Sequence, residues 1–259
     1  MSKHIETFVK NRVLTITLNN PEKRNALSPE IINNLTEIFI NNSENMDVKL
    51  ILLKANGTAF SAGIDLDYLQ QLQNNTFEEN MEDSKKLANL FNTMFSYPKV
   101  IIAQINGFAL AGGCGLATVC DFVIATPESK FGYTEVKIGF IPAIVSLFLL
   151  RKIGDNRSRE LLLTGKIIDA QTALRYGLIN DIQTIDNQDV AVHKLIQNLL
   201  VHCSSHSLEM TKKLLAQQYD LSLSDALELA CQKNAMVRGS KDCRTGVQAF
   251  LDKKPHQWD

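Results

Sequence analysis

The sequence predicts an α/β protein whose strands and helices alternate up to about residue 140 and whose remainder is almost wholly helical. The first observation is a set of short apolar runs, rich in β-branched residues, which are typical of buried strands. The second is the helical spacing of apolar residues between these runs and beyond Ala143. The strand-like runs are residues 13–18, 50–54, 100–105 and 122–125.

The first long helix is predicted from about Pro29. Ser28 is a residue type that caps helix N-termini, and proline is favoured at the first helical position. Ile31, Ile32 and Leu35 then begin an apolar stripe on one face.

A second helix is predicted over residues 79–95. The polar stretch at its start includes Thr76, Glu78, Glu79 and Asn80. This stretch predicts a mobile loop that tolerates insertions and borders the mouth of a site, since such loops are polar and lie on the surface.

Two turns of small residues each follow a buried strand. One comprises residues 60–66, after the run 50–54, and the other comprises residues 108–117, after the run 100–105. The N–H groups in the first turn of a helix have no acceptor within the helix, and small side chains let a ligand oxygen reach them. Two such turns could each aim one N–H at the same carbonyl oxygen, which predicts a two-donor oxyanion hole.

Glu135 is the candidate acid or base. Most Glu side chains are solvated. This one lies between the glycine-rich turn and an apolar run over residues 138–150, a position that predicts partial burial. Burial would raise the pKa of the carboxyl toward the working range of a general base.

Composition excludes several classes of protein. The chain has 259 residues, 45% hydrophobic and 21% charged, which is enough to bury a large core. Its 27 Lys and Arg residues are balanced by 28 Asp and Glu residues, so nucleic acid is not an expected partner. The N-terminal residues show no signal region or presequence, and no apolar stretch approaches ~18 residues. We therefore expect a cytoplasmic protein without membrane contact.

Metal and dinucleotide sites are not predicted. His202 and His206 flank Cys203 but have no acidic partner nearby, whereas a metal site needs three or four ligands. After Gly113 and Gly115, the third glycine of a dinucleotide-binding turn would fall on Thr118. The cysteines show no C-x-x-C spacing and are expected to be reduced thiols; they are Cys114, Cys120, Cys203, Cys231 and Cys243.

Five segments together resemble the enoyl-CoA hydratase/isomerase family, the crotonases. They occur in the family's order, and the resemblance covers residues 5–255. The segments are NPEKRNAL (20–27), FSAGIDL (60–66), INGFALAGGCGLA (105–117), CDF (120–122) and FGYTEVKIGFIPA (131–143).

The resemblance implies a crotonase spiral of strand–strand–helix turns over residues 1–200. It also implies a C-terminal helical region over residues 201–259 that serves trimerisation. Members of the family usually form trimers or dimers of trimers, so a homotrimer or a dimer of trimers is expected.

The resemblance further implies an acyl-CoA thioester substrate and no separate cofactor, because coenzyme A is part of the substrate. The family's two N–H donors match Ala62 and Gly112, and its acid matches Glu135. Lys23 and Arg24 match the place where crotonases meet the nucleotide end of coenzyme A. The other residues expected to bind substrate are Ala26, Gly63, Ile64, Asp65, Leu66, Gly113, Phe250 and Lys253.

Gly115 departs from the family's two-acid pattern, in which a second Glu at this position helps to hold water. Three reactions therefore stay open, in this order of preference. The first is hydration or dehydration by a single acid, because residues 115–117 together with 135–143 resemble the branch that includes bacterial methylglutaconyl-CoA hydratases. The second is Δ3-Δ2-enoyl-CoA isomerisation, and the third is decarboxylation of a CoA β-acid. A non-catalytic RNA-binding or scaffold protein on the same fold is the alternative of another class.

Overall fold

The computed structural model describes residues 3–256 and 258. The strands are β1 (Ile5–Lys10), β2 (Val13–Leu18), β3 (Leu50–Ala55), β4 (Ala59–Ser61), β5 (Val100–Ile105), β6 (Phe108–Leu110), β7 (Phe122–Ala125), β8 (Lys130–Gly132), β9 (Ile167–Asp169) and β10 (Asp181–Ile182). The α-helices are α1 (Pro29–Asn42), α2 (Leu66–Leu72), α3 (Phe77–Phe95), α4 (Gly112–Val119), α5 (Ala143–Thr164), α6 (Ala170–Tyr176), α7 (Ile185–His202), α8 (Ser205–Gln217), α9 (Leu223–Arg238) and α10 (Lys241–Leu251). Short 3₁₀ helices lie at Pro21–Lys23, Glu135–Ile138 and Gln218–Asp220.

The strands form two sheets. The larger sheet has the order β1-β2-β3-β5-β7-β10, and it is parallel except where β1 pairs with β2. The smaller sheet has the order β4-β6-β8-β9 and is parallel up to β8. Successive strands alternate between the sheets, because β3, β5 and β7 are followed by β4, β6 and β8. The chain therefore repeats a strand–strand–helix unit, and the predicted α/β alternation is confirmed.

The short strands of the smaller sheet were not predicted. β4 and β6 have three residues each; β4 overlaps the start of the first small-residue turn, and β6 lies inside the second. A three-residue strand is too short to show a period of two, so pattern alone cannot reveal it.

Helix α1 begins as the sequence predicts. The Ser28 hydroxyl accepts a hydrogen bond from the Ile31 N–H, and Pro29 is the first helical residue. The apolar stripe of α1 is buried in the main core, where the Phe39 ring meets the Tyr97 ring edge to face at 5.0 Å between centroids.

The mobile loop predicted around Thr76 is wrong. The Thr76 hydroxyl accepts from the Glu79 N–H at 3.2 Å, and the Glu79 carboxylate accepts from the Thr76 N–H at 2.8 Å. This reciprocal capping box satisfies two donors that a helix start otherwise leaves free. Residues 77–80 are therefore the first turn of α3, and their polarity is that of an exposed helix start.

The C-terminal helices pack differently from the rest. No residue of α9 or α10 is buried, although both carry large apolar side chains. The predicted boundary between residues 200 and 201 falls inside α7, and the division into two regions stays a prediction. None of the helices described over residues 3–256 combines the length and apolar character that a membrane crossing requires.

Replacing Thr76 with Ala should lower the free energy of unfolding by about 1 kcal/mol, because the helix loses its N-terminal cap. Chemical denaturation of both proteins measures this difference. Thr76→Ser retains the hydroxyl and should behave like the parent protein. Equal stability of the parent and Thr76→Ala would instead favour the loop that the sequence predicted.

Candidate active site

A cavity of ≈ 480 Å³ opens next to the ends of β4 and β6. It brings together many of the residues that the sequence predicts for a substrate site. Those that line it are Lys23, Arg24, Ala26, Ala62, Ile64, Asp65, Leu66 and Glu135. The lining residues that the sequence analysis missed are Glu22, Asp67, Ala111, Thr134, Ile138 and Phe140.

The two small-residue turns meet beside this cavity. β4 and β6 are parallel neighbours, so the turns that follow them leave the sheet at the same edge. Gly63 has a φ of +89°, and a Cβ there would lie 2.8 Å from the Leu110 carbonyl oxygen and 2.7 Å from the Ala111 Cβ. Only glycine adopts a positive φ without strain and has no Cβ to fill this space. The contact between the two turns therefore requires Gly63.

The predicted donor Ala62 is not free. Its N–H donates to the Arg24 carbonyl with 3.0 Å between nitrogen and oxygen. The next free N–H in this turn belongs to Ile64. The Gly63 carbonyl accepts from the Leu27 N–H at 2.7 Å, and in a trans peptide the following N–H points the opposite way. Among the described residues, the Ile64 N–H meets no hydrogen-bond acceptor.

The N–H of the other predicted donor, Gly112, is free, as is that of Ile64. Gly112 is the first residue of α4, and the described part of the chain offers its N–H no acceptor. This N–H nitrogen lies 3.2 Å from the position of a Cβ built on Gly63, so it is next to the Ile64 peptide. Both free donors accordingly lie close to Gly63.

Ala111 holds the entry to α4 in an unusual conformation. Its φ of 49° and ψ of −126° lie in a region that residues with a Cβ rarely adopt. The Ala111 N–H donates to the Gly132 carbonyl at 2.8 Å, which anchors this backbone. Strain of this kind costs about 1–3 kcal/mol and occurs mainly at functional sites. An alanine has no sequence signal for it, so Ala111 could not be found in advance.

Gly113 does not line the cavity. A Cβ there would lie 2.4 Å from the Ser61 carbonyl oxygen, so this glycine packs α4 against the end of β4. Gly113 thus permits a close approach of two backbones, and its contact with substrate stays a prediction.

Glu135 begins the 3₁₀ helix Glu135–Ile138 and lines the cavity. The residue is only 7% exposed, and its Oε2 atom is buried without a hydrogen-bond partner among the described residues. Burial raises the pKa of the carboxyl above its ordinary value of 4.5, opposed only by a hydrogen bond from its own backbone. The predicted burial and the predicted direction of the pKa shift both agree with this environment.

Gly115 lies in an apolar environment. A Cβ at this position would lie 2.5 Å from Val145 Cγ1 and 2.9 Å from Phe91 Cζ. Phe91 belongs to α3 and Val145 to α5, and both are buried. The space around position 115 is thus filled by hydrocarbon, and a larger residue there would have to displace it.

Lys23 is paired in a way that the sequence analysis did not predict. Its ammonium group contacts the Asp65 carboxylate at 3.0 Å and the Asp67 carboxylate at 2.9 Å. Asp65 also caps α2, accepting from the N–H groups of Asp67 and Tyr68. Arg24 also lines the cavity, and within the described residues its guanidinium forms no ion pair.

Asn25 braces the loop that carries these cations. It is 1% exposed, and its side-chain amide donates to the carbonyls of Asn56 and Ala59. Its amide oxygen accepts from the Asn20 N–H. These bonds hold the loop against β4.

Phe250 and Lys253 do not reach the cavity of their own chain. Phe250 is 83% exposed at the end of α10, and neither residue contributes to the cavity wall. Among the described residues, no cluster of three His, Cys, Asp or Glu side chains could hold a metal ion.

The fold is that of the crotonases. An enoyl-CoA hydratase from Shewanella pealeana has a TM-score of 0.93 at 31% identity, covering 98% of this chain and 96% of that one. An enoyl-CoA hydratase from Mycobacterium smegmatis has a TM-score of 0.94 at 26% identity, covering 99% of both chains.

The sequence profile described as "Enoyl-CoA hydratase/isomerase" matches residues 9–259, and the chain belongs to this family. A Thermus thermophilus protein provisionally named enoyl-CoA hydratase is 38% identical over 250 residues, which are 95% of this chain and 97% of that protein. The 2,3-dehydroadipyl-CoA hydratase of Escherichia coli is 28% identical over 246 residues, or 95% and 94% of the two chains. The predicted family, fold class and enzyme class, a lyase, are confirmed, and an acyl-CoA substrate is consistent with them.

Replacing Gly115 with Ala should destabilise the protein by about 1–3 kcal/mol, because the new methyl group overpacks against Val145 and Phe91. Denaturation of Gly115→Ala and of the double variant Gly115→Ala/Val145→Ala measures the clash. The loss of stability in the double variant should be smaller than the sum of the losses measured for Gly115→Ala and for Val145→Ala alone. Gly239→Ala is the control, since a Cβ there meets only the Met236 carbonyl, at 3.6 Å. Full stability of Gly115→Ala would contradict the apolar wall.

Glu135→Gln should be more stable than the parent protein at neutral pH and not at acidic pH. The unfolded chain ionises near 4.5, before the buried carboxyl does, so the parent loses stability as the pH rises through the interval between the two pKa values. The substituted amide carries no charge, so the stability of the variant does not decrease in this pH interval. Denaturation across this pH range measures the difference in the free energy of unfolding between Glu135→Gln and the parent, with Glu128→Gln at an exposed position as control. A difference that does not increase with pH would contradict the burial of the Glu135 carboxylate.

Proposed function

We propose that the protein is an acyl-CoA hydro-lyase of the enoyl-CoA hydratase type. In this proposal the N–H groups of Ile64 and Gly112 bind the thioester oxygen, and Glu135 moves the proton at the α-carbon. The observation that carries the proposal is the burial of Glu135, which lines the cavity and whose Oε2 atom has no hydrogen-bond partner among the described residues. An unpartnered polar atom is costly to bury, and a substrate proton would satisfy it.

The two N–H groups act on the carbonyl oxygen. As charge develops on this oxygen, two preorganised donors stabilise it and make the thioester a better electron sink. Removing one such donor typically lowers kcat by about 10²–10³-fold. Assigning this role to Ile64 in place of Ala62 follows from the bond between the Ala62 N–H and Arg24.

Glu135 completes the reaction as a single acid–base group. In hydration, the water oxygen bonds to the β-carbon, a water proton passes to the carboxylate, and the carboxyl returns a proton to the α-carbon. Dehydration reverses each step. General acid–base catalysis of this kind contributes about 10²–10⁴-fold.

Isomerisation is the second candidate. Position 115 offers no polar group, and Phe91 and Val145 fill the space beside it, so α4 supplies no side chain to hold a water molecule there. A Δ3-Δ2-enoyl-CoA isomerase needs no such water. One carboxylate removes a proton from carbon 2 and returns it to carbon 4, while the oxyanion hole holds the dienolate.

The acyl group that the cavity favours is apolar. Leu66, Ala111, Ile138 and Phe140 line it together with Glu135. Two cations follow Glu135 in the sequence. Lys137 is exposed outside the cavity wall, and Arg151 pairs with Asp220 at 2.9 Å. A branched dicarboxylic acyl group such as methylglutaconyl stays a prediction without a cation to receive it among these residues.

The nucleotide end of coenzyme A would meet Arg24 more readily than Lys23. Within the described part of the chain the Arg24 guanidinium has no ion pair, whereas the charge of Lys23 is already balanced by Asp65 and Asp67. We propose no separate cofactor, since coenzyme A enters as part of the substrate, and we propose that the protein acts in the cytoplasm.

Assembly into trimers, or into dimers of trimers, is part of the proposal. Apolar side chains on α9 and α10 are exposed in the single chain and would need a partner surface. A neighbouring copy could then bring Phe250 and Lys253 to a cavity that they do not reach in their own chain. The exposed apolar residues are Leu223, Leu227, Met236, Val247, Phe250 and Leu251.

Incubation with 3-methylglutaconyl-CoA, crotonyl-CoA and a 3-enoyl-CoA tests the proposal. A mass gain of one water, read by mass spectrometry, supports hydration, and an unchanged mass with a shifted double bond supports isomerisation. Turnover should fall by about 10²–10⁴-fold in Glu135→Gln and stay unchanged in Glu128→Gln. Because burial raises the pKa of Glu135, kcat/KM for proton abstraction should fall with decreasing pH before 4.5 is reached.

Turnover that survives in Glu135→Gln would sink the proposed mechanism. A protein without thioester chemistry that binds RNA with a strong salt dependence would instead favour the non-catalytic alternative.

A further inference from the structure

Tyr133 lies two residues before Glu135 and is completely buried. Its hydroxyl lies 2.5 Å from the Thr118 hydroxyl, which projects from the second turn of α4. The segment that carries Glu135 is thereby joined to the helix that begins at Gly112.

The direction of this hydrogen bond follows from counting protons. The Thr118 hydroxyl donates to the Cys114 carbonyl at 2.8 Å, and a hydroxyl has one proton to give. The Tyr133 hydroxyl is therefore the donor to Thr118. Both oxygens are buried. Loss of the Thr118 hydroxyl would leave the Tyr133 hydroxyl without its acceptor in the core, whereas loss of the Tyr133 hydroxyl would leave Thr118 with its bond to the Cys114 carbonyl.

This bond is one of two that clamp residues 132–135 to α4. The other joins the Ala111 N–H to the Gly132 carbonyl at 2.8 Å. The Glu135 Oε2 atom has no hydrogen-bond partner among the described residues, so side-chain bonding does not locate it. The position of this carboxylate relative to the Gly112 N–H consequently depends on how the backbone before it is held.

We propose that Tyr133 and Thr118 form a positioning pair that sets the distance between the Glu135 carboxylate and the oxyanion-binding N–H of Gly112. The inference rests on the proposed function, because it assigns both groups to one reacting thioester. Neither Tyr133 nor Thr118 lines the cavity. The pair acts through Glu135 and not by touching substrate.

The test measures exchange of the α-protons of butyryl-CoA with solvent deuterium. This saturated thioester has no double bond to hydrate or shift, so its exchange needs only the oxyanion hole and the base. Tyr133→Phe and Thr118→Val should each slow exchange by about 10–100-fold, because a displacement near 1 Å can cost about 10²-fold in rate. The KM should stay within about twofold, since binding of the thioester is not altered.

The double variant Tyr133→Phe/Thr118→Val should be no slower than the slower single variant, because the two changes remove the same bond. Thr118→Ser restores the hydroxyl and should recover most of the rate. Its comparison with Thr118→Val also decides the matter if Tyr133→Phe fails to fold.

Tyr97→Phe is the matched control for loss of a buried phenol hydroxyl. The Tyr97 ring is 2% exposed, and its hydroxyl has no hydrogen-bond partner among the described residues. This variant should keep the parent exchange rate. Thermal denaturation of every variant shows whether it is fully folded at the assay temperature. A variant that is folded but merely less stable should keep the parent exchange rate.

The outcomes separate the two claims. No exchange by the parent protein, or full exchange by Glu135→Gln, would overturn the proposed function and this inference with it. Loss of exchange in Glu135→Gln with parent-like rates in folded Tyr133→Phe and Thr118→Val would overturn the positioning pair alone. Slow exchange in Thr118→Ser equal to that in Thr118→Val would overturn it as well.

Discussion

The contact between the two turns at Gly63 is the constraint on which the site depends. It is possible because β4 and β6 are parallel neighbours whose ends meet at one edge of the smaller sheet. It is close because Gly63 has a positive φ and no side chain, and the Leu110 carbonyl occupies the space that a Cβ would need. The free N–H groups of Ile64 and Gly112, from segments far apart in the chain, are thereby brought close to each other beside Gly63.

The packing around this contact stores unfavourable free energy at the site. Ala111 is held in a strained conformation, and the buried Oε2 atom of Glu135 has no hydrogen-bond partner in the part of the chain that the structure describes. Each costs stability, and both persist because the surrounding core over-determines their positions. The same core fills the space beside Gly115 with Phe91 and Val145. Packing therefore keeps the Glu135 carboxylate buried at the cavity and excludes another carboxylate from position 115.

Local pattern was sufficient for the long elements and insufficient for the short ones. The strands near residues 13–18 and 100–105 and the helix capped by Ser28 are confirmed, because their signals lie within a few neighbouring residues. The error at Thr76 arose because polarity is shared by loops and exposed helix starts, and only the reciprocal bonds with Glu79 distinguish them. The strands β4 and β6 are too short to carry a pattern.

By itself the sequence determined the family, the alternation of strands and helices, and the presence of Glu135 opposite glycine-rich turns. Only the tertiary structure decided which backbone donors remain free. The Ala62 N–H donates a hydrogen bond to the Arg24 carbonyl, and the Lys23 ammonium forms ion pairs with Asp65 and Asp67. Hydrogen bonds and ion pairs between segments distant in the sequence depend on how the chain folds back on itself, and no local pattern of residues contains that information.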